Sequence, residues 1–292
     1  MKKLLYIVLA ALVLTGCKQE DPQPPSLIME GWIDANGHPV VMIHQTYVLS
    51  FGNDSSRTIE ETVEDLLIPF GKVTVSDGEQ EVILTGRLDT AYLPPYTYSS
   101  TYIRGQVGKK YTFTAKYNDF YATATTTIPP VASLDSLKVR ETVDKLDVRA
   151  YMRVDANGYY AFFLRKPGVK QFELCPFDVF EGRDAVGGQM EVKVYSPFTE
   201  TENGLIGVDF QFRNDPEKTD KEKTYRLKVV RLDEEAYRFW KAYNELAITK
   251  GILFVPVYKN IPSNVVGGYG NVSGMGASFY DILAARDTTY RF

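Results

Sequence analysis

The chain has 292 residues, of which 44% are hydrophobic and 24% are charged, so it can bury a core as one large domain or two small ones. Its 33 basic and 37 acidic residues give a formal net charge of −4. Because phosphate binding requires a basic face, this balance argues against nucleic acid as a partner.

The first 16 residues have the order of a secretory signal peptide. Two lysines are followed by an apolar run over residues 4–13 and by small residues before Cys17. The apolar run is too short to cross a bilayer as a stable helix. The sequence Leu-Thr-Gly-Cys resembles the bacterial lipobox, whose cysteine is lipidated after cleavage. We therefore expect a signal peptide at 1–16 and a lipid-anchored Cys17, with an ordinary signal peptide and a chance cysteine as the alternative.

Residues 17–26 are predicted to form a tether. The polar stretch 18–21 ends in acids and resembles an export tag that sends lipoproteins of Bacteroidetes-type bacteria to the outer face of the outer membrane; the alternative is a plain solvated linker. The proline-rich stretch 21–26 favours an extended spacer of about 3.1 Å per residue, which would hold the body about 30 Å from the lipid. The expected location is the outer membrane, facing the cell exterior, with Cys17 as the membrane contact.

The chain has two cysteines, Cys17 and Cys175. Lipidation of Cys17 would leave Cys175 without a disulfide partner, and a free cysteine usually behaves as a small buried hydrophobe. A nucleophilic Cys175 is the alternative. Neither His38 nor His44 stands in a recognisable catalytic pattern with it.

Turn signals recur along the whole body, and alternating strands are predicted through its first half. Asn/Asp-Gly pairs supply the positive φ that tight hairpin turns need, and they occur at 36–37, 77–78, 157–158 and 203–204. Strands are predicted at 40–48, 72–76, 81–85, 110–117 and 121–128. Pro129-Pro130 marks a boundary because central strands rarely tolerate proline. Residues 27–130 are therefore predicted to form an immunoglobulin-like antiparallel β-sandwich.

Residues 131–292 are predicted to form a second β-rich, sandwich-like domain with one helix. Strands are expected at 136–140, 146–154, 159–165, 190–195, 205–212 and 223–231. Asp233 can cap a helix whose first turn is acidic, and apolar residues at 236, 239, 240, 243, 246 and 247 follow the helical period. This predicts a helix over 233–248 with an aromatic stripe that packs on a sheet; a ligand groove is the alternative.

The glycine-rich stretch 267–276 lacks the spacing of a phosphate loop, and a final strand is expected at 277–283. Ser273-Gly274 resembles a nucleophile elbow, but Asn271 stands where the first glycine belongs. The acidic cluster at 60–65 has two interpretations, a solvated face and a calcium site. We predict no catalytic residue, no metal site and no cofactor, while paired glycosidase-type carboxylates stay open because sequence does not place acids in space.

The order of several short segments resembles a family of Bacteroidetes-type surface lipoproteins, the domain-of-unknown-function family 4249. The segments are MEGWID at 29–34, VTVSDG at 73–78, GKKYTF at 108–113, TTTIP at 125–129 and NIPSN at 260–264. The family has no assigned activity and no catalytic residues to transfer. Its members often occur beside TonB-dependent receptors, which implies an accessory or ligand-capturing subunit.

These features are consistent with three functions. The leading one is a ligand-binding or accessory subunit of a TonB-dependent uptake system, with an outer-membrane receptor as its partner. The alternatives are a surface adhesin or structural lipoprotein and a hydrolase that acts on glycan or peptide. An enzyme is the less favoured class because no catalytic pattern stands out.

Overall fold

The computed structural model describes residues 26–46, 67–92, 95–141, 145–175, 179–183, 198–202, 205–213, 224–249, 261–283 and 288–292. Strands make up most of this part of the chain, and its long helix lies in the second half. The prediction of a mainly β protein with a helix in the second half is therefore confirmed.

Seven strands form the first half. In chain order they are β1 (Leu27–Asp34), β2 (Val40–Gln45), β3 (Lys72–Ser76), β4 (Glu81–Leu88), β5 (Tyr96–Ser99), β6 (Lys110–Tyr117) and β7 (Phe120–Thr127).

The second half contains the remaining strands and the helix. They are β8 (Leu134–Glu141), β9 (Lys145–Met152), β10 (Tyr159–Arg165), β11 (Glu173–Leu174), β12 (Phe180–Glu181), β13 (Phe198–Glu202), β14 (Leu205–Arg213), β15 (Thr224–Leu232), α1 (Glu234–Thr249), β16 (Val265–Val266), β17 (Val272–Leu283) and β18 (Thr288–Arg291).

One sheet crosses both halves of the chain. Its strand order is β11-β10-β15-β17-β1-β2-β5-β4-β3-β6-β7-β16, and β12 pairs with β10. A second sheet of five strands has the order β13-β14-β9-β8-β18. The pairs are antiparallel apart from β1 and β17, which run parallel with Gly31 opposite Val272. This parallel pair departs from the all-antiparallel prediction, and the long chain between the two strands supplies the crossover that a parallel pair needs.

The segment 265–272, which leads into β17, packs against the strands of the first half and contributes to its core. On one side Val265 pairs with Ala124 of β7, and on the other the Met29 amide donates to Tyr269 O at 2.9 Å. Val265 and Val272 are accordingly part of the core that β1 to β7 enclose. The boundary predicted at Pro129-Pro130 coincides with a change of core, but the chain returns to the first core after α1.

The second half has three layers. The face of β10, β15 and β17 that carries Phe162, Leu227 and Ile282 packs on the five-stranded sheet. The opposite face is covered by α1, where Ala236 and Tyr237 join the second core. Alternating side chains on a doubly covered sheet are buried on both faces, which explains why the consecutive residues 227–230 of β15 are all buried.

Most predicted elements agree with the structure to within a few residues. The strands at 72–76, 110–117 and 159–165 and the helix over 233–248 are confirmed. The last strand is longer than expected, because β17 already begins at Val272 and includes Gly274 and Gly276. A Cβ at Gly274 would lie 2.8 Å from Thr127 O, so a glycine allows the close approach of β7.

Several predicted features lie outside the described residues. They are the signal peptide at 1–16, Cys17 with most of its tether, the acidic cluster at 60–65, the turn at 203–204 and the strand at 190–195. Of the helices that the described ranges contain, none combines the length and apolarity that crossing a membrane requires.

Candidate functional site

A buried lysine lies where the two halves of the molecule meet. Lys228 is on β15, in phase with Val230 and Leu232 on the face that α1 partly covers. Only 4% of Lys228 is exposed. A buried ammonium is costly unless a partner neutralises it, so its surroundings identify the place as a candidate site.

Asp34, the last residue of β1, is the charged partner. Lys228 Nζ lies 2.6 Å from Asp34 Oδ1, and both side chains are largely shielded from solvent. The pair joins β1 of the first half to β15 of the second half through side chains that are 194 positions apart in the sequence. Because Asp34 neutralises Lys228, the pair carries no net charge of its own.

Four aromatic rings surround the ammonium. Its distances to the ring centroids are 5.7 Å for Phe163, 5.8 Å for Phe279, 5.9 Å for Phe172 and 6.0 Å for Trp32. Phe163 and Phe279 are the direct cross-strand neighbours of Lys228. Rings at this range attract a cation through their negative faces. We call Trp32, Asp34, Phe163, Phe172, Lys228 and Phe279 the Lys228 site.

The rim of the Lys228 site reaches the surface. Phe279 is 39% exposed, and Phe172 and Trp32 are half-buried. Tyr92 lies 6.0 Å from Trp32 between ring centroids. Half-buried aromatic rings offer flat apolar faces on which sugar rings or aromatic side chains can stack. The arrangement is therefore suited to binding, since it positions stacking faces around a neutralised charge.

The aromatic stripe of α1 lies next to the Lys228 site and contacts it through Trp240. Trp240 lies 5.0 Å from Phe163 in an edge-to-face arrangement. Its indole Nε1 donates to Ser273 Oγ at 3.2 Å, and Ser273 Oγ donates to Asn271 Oδ1 at 2.5 Å. The predicted packing of this stripe on a sheet is confirmed by Ala236 and Trp240, which pack against residues of β10 and β15, although Tyr243 is 44% exposed.

Ser273 has no nucleophilic environment. Its side chain is buried, and its hydrogen bonds go to Trp240 and Asn271. His38 instead contacts Ile103 O through Nδ1 at 3.0 Å. The resemblance to a nucleophile elbow therefore has no geometric support, because a serine nucleophile needs a base within hydrogen-bond reach.

Cys175 is a core residue, and the remaining histidine, His44, is half-buried. Cys175 is buried in the core between the five-stranded sheet and the face of β10, β15 and β17, and this burial raises the pKa of its thiol far above the usual value. The partial burial of His44 lowers the pKa of its imidazole. A thiol with a raised pKa is a poor nucleophile at neutral pH.

The turn around Asp155 carries an ion pair and not a calcium loop. Asp155 Oδ1 accepts the Asn157 amide at 3.0 Å, and Asp155 Oδ2 lies 2.8 Å from the Arg231 guanidinium. These contacts lower the pKa of the Asp155 carboxyl. Within the described ranges, no three His, Cys, Asp or Glu side chains converge as metal ligands would.

Sequence reasoning missed the Lys228 site. One signal was present: Lys228 falls in phase with Val230 and Leu232, so a period of two already put it on an apolar face of its strand. Asp34 and Trp32 gave no such signal, because their pairing with distant strands is not visible in the sequence.

Comparison with known proteins places the chain in a family. No curated protein matches it. The family model described as "Domain of unknown function (DUF4249)" matches residues 17–278. This match covers most of the chain and includes every residue of the Lys228 site except Phe279. The chain therefore belongs to the DUF4249 family, as its order of short segments predicted.

Proposed function

We propose that the protein is an outer-membrane surface lipoprotein that serves as a ligand-binding or accessory subunit of a TonB-dependent uptake system. The observation that carries the binding part is the Lys228 site, where half-buried aromatic rings surround a neutralised ion pair. The lipobox-like sequence ending at Cys17 supports the membrane anchor.

The chemistry of the site favours capture over catalysis. Lys228 is committed to Asp34, Ser273 is held between Trp240 and Asn271, and the thiol of Cys175 is buried. Stacking on Trp32, Phe172 and Phe279 would bind a flat, uncharged surface such as a sugar ring or an aromatic peptide side chain.

The experiment for the partner is co-purification. The lipidated protein is isolated from outer membranes in mild detergent, and associated proteins are identified by mass spectrometry. A β-barrel receptor that co-purifies with the wild type supports the proposal. A protein that purifies alone, from cells whose nutrient uptake is unchanged by its deletion, would contradict it.

The experiment for the site uses its own tryptophans. The chain has 2 tryptophans, Trp32 and Trp240; Trp32 belongs to the site, and Trp240 contacts Phe163 of the site. Binding of a soluble glycan or peptide fragment should change their fluorescence. Phe279→Ala should weaken the affinity measured by this titration about tenfold, because a stacking face is lost. Tyr102→Ala is the matched control, since Tyr102 is an exposed aromatic outside the site.

A further inference from the structure

Five large apolar side chains stand in solvent at one end of the first half. Their exposed fractions are 91% for Phe70, 70% for Val266, 66% for Leu88, 59% for Tyr269 and 51% for Tyr121. Single exposed apolar residues are normal, but several at one end of a molecule indicate a contact surface.

The strand register brings four of these residues into one row. Tyr121 is opposite Lys116, and Lys116 is opposite Lys72, which follows Phe70 by two positions. On the other side of Tyr121, a Cβ at Gly267 would touch Tyr121 O, so the chain next to Val266 lies directly against it.

The row ends at Tyr269, which lies beside the start of β1. The Tyr269 amide donates to Leu27 O at 2.9 Å, and Leu27 is the first residue of β1. Leu88 ends β4 opposite Tyr96, at the same end of the strands. We call Phe70, Leu88, Tyr121, Val266 and Tyr269 the tether-end surface.

The length of the preceding chain limits how far this surface can lie from an anchor at Cys17. Leu27 is ten positions after Cys17, and ten chain steps span at most about 35 Å. The extended spacer of about 30 Å is thus close to the upper limit, and every less extended conformation brings the surface closer to the lipid.

The second half of the molecule is attached to the first half at the end opposite the tether-end surface. β17 runs parallel to β1 and is opposite Asp34 at Met275. It then continues to Leu283 while pairing with β15. An anchor at Cys17 therefore leaves the tether-end surface as the part of the described body nearest the membrane.

The composition of the surface fits a lipid headgroup region. Tyrosine rings combine an apolar body with a polar tip and are enriched at membrane interfaces. The exposed lysines 72 and 116 lie between Phe70 and Tyr121, and the ammonium of Lys116 is 5.1 Å from the Tyr121 ring centroid. Basic side chains beside aromatic and aliphatic ones match anionic headgroups above acyl chains.

We propose that the tether-end surface rests in the headgroup region of the membrane that holds the anchor. This inference rests on the proposed lipidation of Cys17. In this orientation the first half contacts the membrane and the second half points away from the lipid. The Lys228 site then lies between the two halves.

The test places an environment-sensitive fluorophore at the surface. Tyr269→Cys and Phe70→Cys are labelled separately in the full lipidated protein, where Cys17 is blocked by lipid and Cys175 is buried. Tyr102→Cys is the matched control, because Tyr102 is 85% exposed and follows β5 at the end where Asp34 lies. The protein is reconstituted into phosphatidylcholine vesicles containing phosphatidylglycerol.

The inference predicts a blue shift with at least about a twofold gain in emission at both tether-end positions and none at position 102, because only the former enter an apolar interface. Quenching by spin-labelled lipid should follow the same pattern. If the protein floats with the vesicles and the emission of neither tether-end fluorophore shifts, the docking is contradicted. The proposed lipid anchor at Cys17 would still be supported by the flotation.

Two further outcomes overturn the inference in other ways. A response that requires an added outer-membrane protein would assign the surface to a protein partner. Failure of the protein to float with vesicles would contradict the lipid anchor, and with it both the docking and the membrane part of the proposed function.

Discussion

Asp233 and Thr126 link the cap of the helix to the first half of the molecule. Asp233 Oδ1 accepts the Ala236 amide at 2.8 Å and so caps α1, while Asp233 Oδ2 accepts the Thr126 hydroxyl at 2.8 Å. Thr126 Oγ1 in turn accepts the Gly274 amide at 2.6 Å. One carboxylate therefore joins α1, β7 and β17.

Removing this carboxylate should loosen the junction. Asp233→Ala loses the cap and leaves the Thr126 hydroxyl without its acceptor, so we expect a loss of about 2 kcal/mol in the free energy of unfolding. Chemical denaturation measures it. Asp233→Asn is the control and should cost less than half as much, because asparagine also caps. Equal losses for both variants would show that the cap is not the source of the stabilisation.

The buried pair of Lys228 and Asp34 should be more sensitive than any surface pair. Asp34→Ala leaves the Lys228 ammonium buried without a partner, and we expect a loss of about 3 kcal/mol. The control is Arg238→Ala, which removes an exposed pair with Glu234 on α1 and should cost about 0.5 kcal/mol or less. Urea denaturation curves for both variants give the comparison, and similar losses would contradict the account of the site.

The thiol of Cys175 should be unreactive in the folded protein. Burial raises its pKa and blocks access, so a thiol reagent at neutral pH should label it only after unfolding. Labelling is followed by mass spectrometry in buffer and in guanidinium. Stoichiometric labelling of the native protein within minutes would show that Cys175 is accessible and would reopen its role as a nucleophile.

Asp77 should make the protein more stable at neutral pH than in acid. The hydrogen bond from Lys109 Nζ at 2.9 Å, supported by backbone amides at Gln80 and Glu79, lowers the pKa of Asp77 to about 2. Since the folded pKa lies below the unfolded one, the stabilisation is complete above about pH 4 and is lost as the pH falls towards 2.

The variant Asp77→Asn should therefore be less stable than the wild type at pH 7, by on the order of 1 kcal/mol, and nearly equal to it at about pH 2. Guanidinium denaturation at the two pH values measures the difference. Glu79→Gln is the control, because Glu79 is a more distant and exposed partner of Lys109. A difference that does not change with pH would contradict the assignment.

Local features of the fold were predictable because short-range chemistry determines them. Asn36 has a φ of 61° and Gly78 a φ of 88°, which are the left-handed conformations that Asn-Gly and Asp-Gly pairs favour. The helix was predictable for the same reason, since Asp233 and the period of its apolar residues are both visible in the sequence.

The long-range features were not predictable. β1 pairs with β17 across most of the chain, and no local pattern specifies that partner. Gly276 lies inside β17, where a Cβ would be 2.3 Å from Pro130 O, and the sequence does not show which segment approaches it. The Lys228 site depends on the pairing of β1 with β17, because it brings Asp34 and Trp32 close to β15 and β10 of the second half.

The central claim, that the protein is an anchored subunit of an outer-membrane uptake complex, is tested most directly by comparing wild type and Cys17→Ala in co-purification from outer membranes. The account predicts that the wild type fractionates with the outer membrane and brings a β-barrel receptor, and that Cys17→Ala loses membrane attachment. A Cys17→Ala protein that still fractionates with the outer membrane would contradict the anchor, and a wild type without any receptor would contradict the uptake role.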